Sequence, residues 1–131
     1  MFGVDTNVLI RYLVQDDERQ ASSATRIFEQ VSAANPAFLN NIVMCELVWV
    51  LSRASRYEKS LIINVINQLL STRNIEFENS EVLRKTLRHY IKGNGDFSDY
   101  LIGEINKINR SRTTYTFDKK AGEHQLFTLV K

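Results

Sequence analysis

The 131-residue chain predicts an α/β fold: a parallel sheet of about five short strands sandwiched between helices. Three observations lead there. Short apolar segments alternate along the chain with longer ones whose apolar residues recur every three or four positions, the period of a helix buried along one face. Strands separated by helices need crossover connections, which make the sheet parallel. The length is that of one ordinary domain over residues 1–131, without repeats, linkers or low-complexity segments.

The elements follow in order. Residues 2–5, FGVD, read as a short buried strand. A helix over 6–15 carries Val8, Leu9, Tyr12 and Leu13 on one side. Asp16 or Asp17 caps a second helix reaching about residue 34, striped by Ala21, Ala24, Ile27 or Phe28, and Val31. Asn35-Pro36, with the chain's only proline, breaks it. Residues 37–40 form a strand and 42–54 a third helix. A fourth helix over 58–72 is striped by Ile62, Val65, Ile66 and Leu69. Residues 75–77 make a strand. A fifth helix over 80–92 aligns Leu83, Leu87, Tyr90 and Ile91. Gly93-Asn94-Gly95 is a loop, and a sixth helix over 97–108 aligns Leu101, Ile105 and Ile108. Strands over 113–117 and 126–130 close the chain.

Composition narrows the class. With 44% apolar and 24% charged residues, the chain is that of a soluble globular protein. No apolar stretch approaches the ~18 residues of a membrane span, and the N-terminus lacks the basic-then-apolar pattern of a signal peptide. The single cysteine, Cys45, lies in an apolar run and fits a reducing compartment, so a cytoplasmic protein is expected. The net charge is +2, a mild lean toward anionic partners. Basic residues thicken late in the chain, at Arg84, Lys85, Arg88 and Lys92 and then at Lys107, Arg110, Arg112, Lys119 and Lys120. Taken alone, these are solvated helix faces.

The carboxylates carry the chemistry. In parallel sheets the ligand crevice lies beyond the carboxyl ends of the strands. Asp5 ends the first strand and Asp118 follows the strand TTYTF; if those strands are neighbours, both acids reach one pocket. Each could instead be a helix N-cap. Glu46 is the only charge in IVMCELVWVLS. That helix is apolar almost all round, so Glu46 is expected to be buried and to need a cation, a hydrogen-bond network or a proton. Asp96 and Asp99 stand at a helix start, with Asp96 the better N-cap and Asp99 free to face the pocket. Converging carboxylates without balancing cations repel, and only protons or a divalent ion relieve them; an all-oxygen set suits Mg²⁺ or Mn²⁺. His89 and His124 lack zinc-site spacing, and His89, on a basic helix, is expected to be solvated.

The stretches DTNVLIRYL, the lone glutamate of the apolar helix, DFSDYLIG and TFDKKAG follow one another in the order and spacing of PIN-domain ribonucleases. The chain resembles that family over essentially its whole length, and within it the VapC-like toxins of type II toxin–antitoxin systems. The resemblance implies a compact parallel sheet between helices and a Mg²⁺- or Mn²⁺-dependent endoribonuclease that cuts RNA with metal-activated water. It maps the family's acidic positions onto Asp5, Glu46, Asp99 and Asp118 as metal ligands and catalytic residues, with Asp96 secondary. Thr6, Asn7 and Thr116 become candidates for orienting the carboxylates or the substrate, and Lys119, Lys120, Arg110 and Arg112 for meeting the RNA backbone. It further implies a homodimer and a small antitoxin partner. The apolar surplus that includes Tyr12, Trp49 and Leu51 would give an antitoxin helix a groove, unless Trp49 is core.

Other readings fit less well. A housekeeping PIN nuclease without an antitoxin shares every motif. A receiver domain pairs two adjacent acids after its first strand and adds a central aspartate, and neither is present. An aspartate-nucleophile phosphatase needs Asp-x-Asp-x-Thr, which DTNVL does not supply. A catalytically dead PIN fold is opposed by the full acidic set.

Overall fold

A computed structural model describes residues 1–131. The chain divides into two compact units, Met1–Asn79 and Ser80–Lys131.

The first unit contains β1 (Phe2–Gly3), α1 (Thr6–Val14), α2 (Glu18–Glu29), β2 (Ala37–Leu39), α3 (Asn41–Arg53), α4 (Lys59–Ser71) and β3 (Ile75–Phe77). Its strands lie in the order β1-β2-β3, all parallel, with Phe2 opposite Ala37 and Ala37 opposite Ile75. Side-chain caps set the helix starts. Asp5, Asp17 and Asn40 accept the N–H of Val8, Gln20 and Val43, each satisfying a donor that the first turn leaves free. The apolar stripes bury Leu9 and Ile10 of α1, Leu47 and Leu51 of α3, and Ile62 and Ile66 of α4.

Two expectations change here. Helix α2 ends at Glu29, not near residue 34. Gln30 and Val31 bond back only three residues, and Ser32 and Asn35 exchange backbone hydrogen bonds in a turn before Pro36. Helix α3 is not buried on most faces. It buries Val43, Met44, Leu47, Val48 and Leu51 but leaves Ile42 and Trp49 exposed by 70% and 62%. Glu46 is exposed as well.

The second unit contains α5 (Ser80–Lys92), α6 (Phe97–Ile108), β4 (Thr114–Thr116), a 3-10 turn (Ala121–Glu123) and β5 (Phe127–Leu129). Strands β4 and β5 pair in parallel, Thr114 opposite Phe127. Tyr90 of α5 meets Phe97 of α6 edge to face, 5.7 Å between centroids. Gly103 lets β5 approach α6: a Cβ there would lie 3.0 Å from the Phe127 ring.

The fold is α/β with five parallel strands, as expected from the sequence. The strands divide into sheets of three and two rather than one continuous run. Each is only two or three residues long, so its ladder is short. β1, which leads to Asp5, belongs to the three-stranded sheet of the first unit, and β4, which leads to Asp118, to the two-stranded sheet of the second. No helix is long and apolar enough to cross a membrane.

Candidate functional site

In the first unit the candidate residues gather around the start of α1. Asp5 follows Val4, whose N–H extends the ladder to the Phe38 carbonyl, and its Oδ1 accepts the Val8 N–H at 3.1 Å. The N-cap role and the site role are therefore compatible, because one oxygen caps and the carboxylate stays exposed. Thr6 is buried and donates its hydroxyl to Glu46 Oε1 at 2.7 Å. This bond joins the Asp5-Thr6 turn to α3. Glu46 thus needs no burial argument: it is an exposed carboxylate held by one neutral donor. Its negative charge, after burial, helps push the Cys45 thiol above its ordinary range, which makes that thiol a poor nucleophile at neutral pH. Asn7 is exposed and lines a cleft of about 580 Å³ between α1 and α2 with Val8, Arg11 and Arg19.

In the second unit Asp96, Asp99, Thr116 and Asp118 form a second group. Asp96 occupies the N-cap position of α6, yet its side chain makes no capping bond. Asp99, half-buried in the first turn, takes its N–H to the Asp96 carbonyl. Burial raises the Asp99 pKa, and the negative charges of Asp118 and Asp96 raise it further; a backbone hydrogen bond at Asp96 opposes them. Asp99 therefore lies within the field of both neighbouring carboxylates. Thr116 Oγ1 accepts the Asp118 N–H at 3.0 Å, and Asp118 Oδ1 accepts the Ala121 N–H at 2.9 Å, so the TFDKKAG turn is fixed at both ends. Lys119 and Lys120 are exposed beside Asp118. Arg110 and Arg112 are exposed after α6, where Arg112 lines a cleft of about 340 Å³ with Lys107, Ser111 and Thr113.

The ion pairs lie elsewhere, at Arg11–Asp16, Lys85–Glu81 and His89–Glu104. None neutralises Asp5, Glu46, Asp96, Asp99 or Asp118. No three His, Cys, Asp or Glu side chains form a group that could hold a metal ion. The donors of the second unit fit a hard cation in kind: Asp96, Asp99 and Asp118 are all carboxylates, and after burial the charges of Asp118 and Asp96 raise the Asp99 pKa.

A family model described as the PIN domain matches residues 3–124. The chain belongs to the PIN-domain family. The PIN match takes in every candidate acid from Asp5 to Asp118. This PIN chain is also similar to the VapC ribonuclease of Aquifex aeolicus (strain VF5), 27% identical over 99 residues, which cover 75% of the chain and 73% of that relative. No solved structure matches it.

Two features were not foreseen. Glu78, just past β3, accepts the Asn41 N–H at 3.0 Å and helps cap α3. His89, expected to be solvated, lies 2.7 Å from the buried Glu104. A signal for Glu104 existed in the sequence: it falls on the stripe Leu101, Ile105 and Ile108, a lone acid on an apolar helix face.

Proposed function

We propose that this PIN protein is a divalent-metal-dependent endoribonuclease and the toxin of a type II toxin–antitoxin pair. The observation that carries it is the set of carboxylates without an ion pair within the PIN match, with the Asp99 pKa raised by burial and then by the charges of Asp118 and Asp96. The similarity to a VapC ribonuclease supports RNA as substrate and a toxin role.

Asp5, Glu46, Asp99 and Asp118 would hold Mg²⁺ or Mn²⁺, with Asp96 secondary. Such an ion would lower the pKa of its water, supplying hydroxide near neutral pH, and would offset the negative charge that builds on the phosphoryl oxygens. Thr6 holds Glu46 by its hydroxyl. Thr116 holds the Asp118 backbone. Asn7 meets the carboxylates or the scissile phosphate. Lys119, Lys120, Arg110 and Arg112 neutralise the RNA backbone. The direct test is total RNA incubated with partner-free protein in Mg²⁺, Mn²⁺ or EDTA. Fragments are expected only with metal, and cleavage in EDTA would overturn the metal role.

Thr6→Val keeps the buried shape and removes the donor to Glu46. It should lower metal-supported cleavage by about 10- to 100-fold, the cost of losing a group that orients a ligand. An unchanged rate would leave Thr6 a packing residue only.

Changing both Lys119 and Lys120 to Ala in an Asp99→Asn background should reduce the log–log salt slope of RNA binding by up to about 2. Coincident slopes would place the RNA path elsewhere.

The toxin role requires a small antitoxin, and the family resemblance also implies a homodimer in the cytoplasm. Ile42 and Trp49 give α3 an exposed apolar face suited to a partner helix, whereas Leu51 is core and Tyr12 stacks on Phe28 at 4.2 Å. Tagged protein from the native host should bring down a short chain. Recovery alone, with harmless induction of active protein, would favour a housekeeping nuclease.

A further inference from the structure

Three polar side chains of the second unit have no role in the proposed chemistry: His89 on α5, Glu104 on α6, and His124 ahead of β5. Glu104 is 2% exposed, and its Oε2 has no hydrogen-bond partner. Its Oε1 lies 2.7 Å from His89 Nε2. His89 Nδ1 lies 3.1 Å from His124 Nε2. The Leu126 N–H donates to His124 Nδ1 at 3.1 Å.

That last bond places every proton. A backbone N–H can only donate, so His124 Nδ1 is bare and the neutral ring carries its proton on Nε2. This proton points to His89 Nδ1, which must be bare in turn. His89 therefore holds its proton on Nε2, facing Glu104. The three bonds run in one direction and end on the carboxylate. A metal centre does not fit, because His89 meets Glu104 and His124 through opposite ring nitrogens.

Tyr100 links this chain of bonds to the acidic loop. It is 1% exposed, and its ring stands 5.9 Å from His89 and 5.5 Å from His124, centroid to centroid. Its hydroxyl accepts the Gly95 N–H at 3.0 Å. Gly95 precedes Asp96, whose carbonyl accepts the Asp99 N–H at 3.1 Å.

We infer that Glu104, His89 and His124 form a proton-ordered brace that acts through Tyr100 to position the loop bearing Asp96 and Asp99. The value of that positioning rests on those aspartates being metal ligands; the brace itself does not.

An added proton on either imidazole breaks the order. A protonated His124 loses its bond to Leu126. A protonated His89 forces His124 to move its proton to Nδ1, with the same loss. The groups facing His124 are His89 from α5 and Tyr100, Glu104 and Lys107 from α6. Burial, then His89, hold the His124 pKa below its ordinary 6.5; Glu104 opposes and Lys107 adds. A depressed folded pKa means that this stabilisation is complete above 6.5 and is lost as pH falls through the folded value. Acidification should therefore loosen the loop.

The test is NMR on the full chain at pH 7.5, with Mn²⁺ titration alongside. In the wild type both histidines should carry their protons on Nε2. His124→Gln keeps a donor to His89 but has no acceptor at the position of Nδ1, where the Leu126 N–H binds. Tyr100→Phe keeps the ring but loses the hydroxyl. Exchange of the Gly95 amide should rise by up to about tenfold in both, the weight of one ordinary hydrogen bond. Mn²⁺ binding should weaken in parallel. As pH falls from 7.5 through the folded His124 pKa, Gly95 protection corrected for intrinsic exchange should fall in the wild type and stay flat in His124→Gln, which a merely structural packing role would not produce. A proton on His124 Nδ1, or unchanged Gly95 exchange in Tyr100→Phe, overturns the brace, and the second result decides even if His124→Gln fails to fold. Wild-type protein that binds no Mn²⁺ overturns the metal reading, while the exchange data still judge the brace.

Discussion

Asp5→Asn should lower Mn²⁺-supported RNA cleavage by at least about a thousandfold while leaving the fold intact. A metal ion contributes several kcal/mol to a transition state of this kind, and each 1.4 kcal/mol or so is a tenfold change in rate. The fold should survive because asparagine caps a helix as well as aspartate, so the bond from the Val8 N–H persists. Asp99→Asn should cost as much activity and raise the metal-free melting temperature. Burial and two neighbouring negative charges lift the Asp99 pKa above 3.8, so its ionised form costs stability at neutral pH. The amide removes that cost. Cleavage assays with melting curves in EDTA check both results, and full activity in Asp5→Asn would end the assignment.

Gly93→Ala should lower the melting temperature by on the order of 10 °C, without changing any charged group. A Cβ at Gly93 would lie 2.1 Å from the Tyr100 hydroxyl and 3.1 Å from the His89 carbonyl. Tyr100 is buried against the rings of His89 and His124 and has little room to retreat. Overpacking costs about 1–3 kcal/mol, and loss of the Gly95 bond about 1 kcal/mol more. Thermal denaturation of the two proteins checks this. An unchanged midpoint would mean that Tyr100 moves freely.

The helices were legible because their signals are local. Stripes every three or four residues, with an aspartate in front, located α1 and α6 at their starts. The division of the strands was not legible, because pairing between distant short segments leaves no local mark. The acids were found as motifs, but one physical reason attached to them was misplaced. An acid alone on an apolar helix predicts a buried partner network, and Glu46 does not obey that rule. Glu46 is exposed because α3 packs by one face and leaves Ile42 and Trp49 outside. The rule holds for Glu104 instead, which is buried against His89. Both acids sit on apolar stripes, and only the packing of each helix tells them apart.

Titration of metal-free protein with Mn²⁺, followed by the loss of the free-ion electron paramagnetic resonance signal, tests most directly whether these carboxylates serve a divalent metal. The wild type should bind Mn²⁺ at neutral pH. Asp5→Asn, Glu46→Gln and Asp99→Asn should each weaken that binding by tenfold or more, on the order of 1.4 kcal/mol or above. Wild-type affinity retained in all three variants, or no binding by a wild type that still cuts RNA, would contradict it.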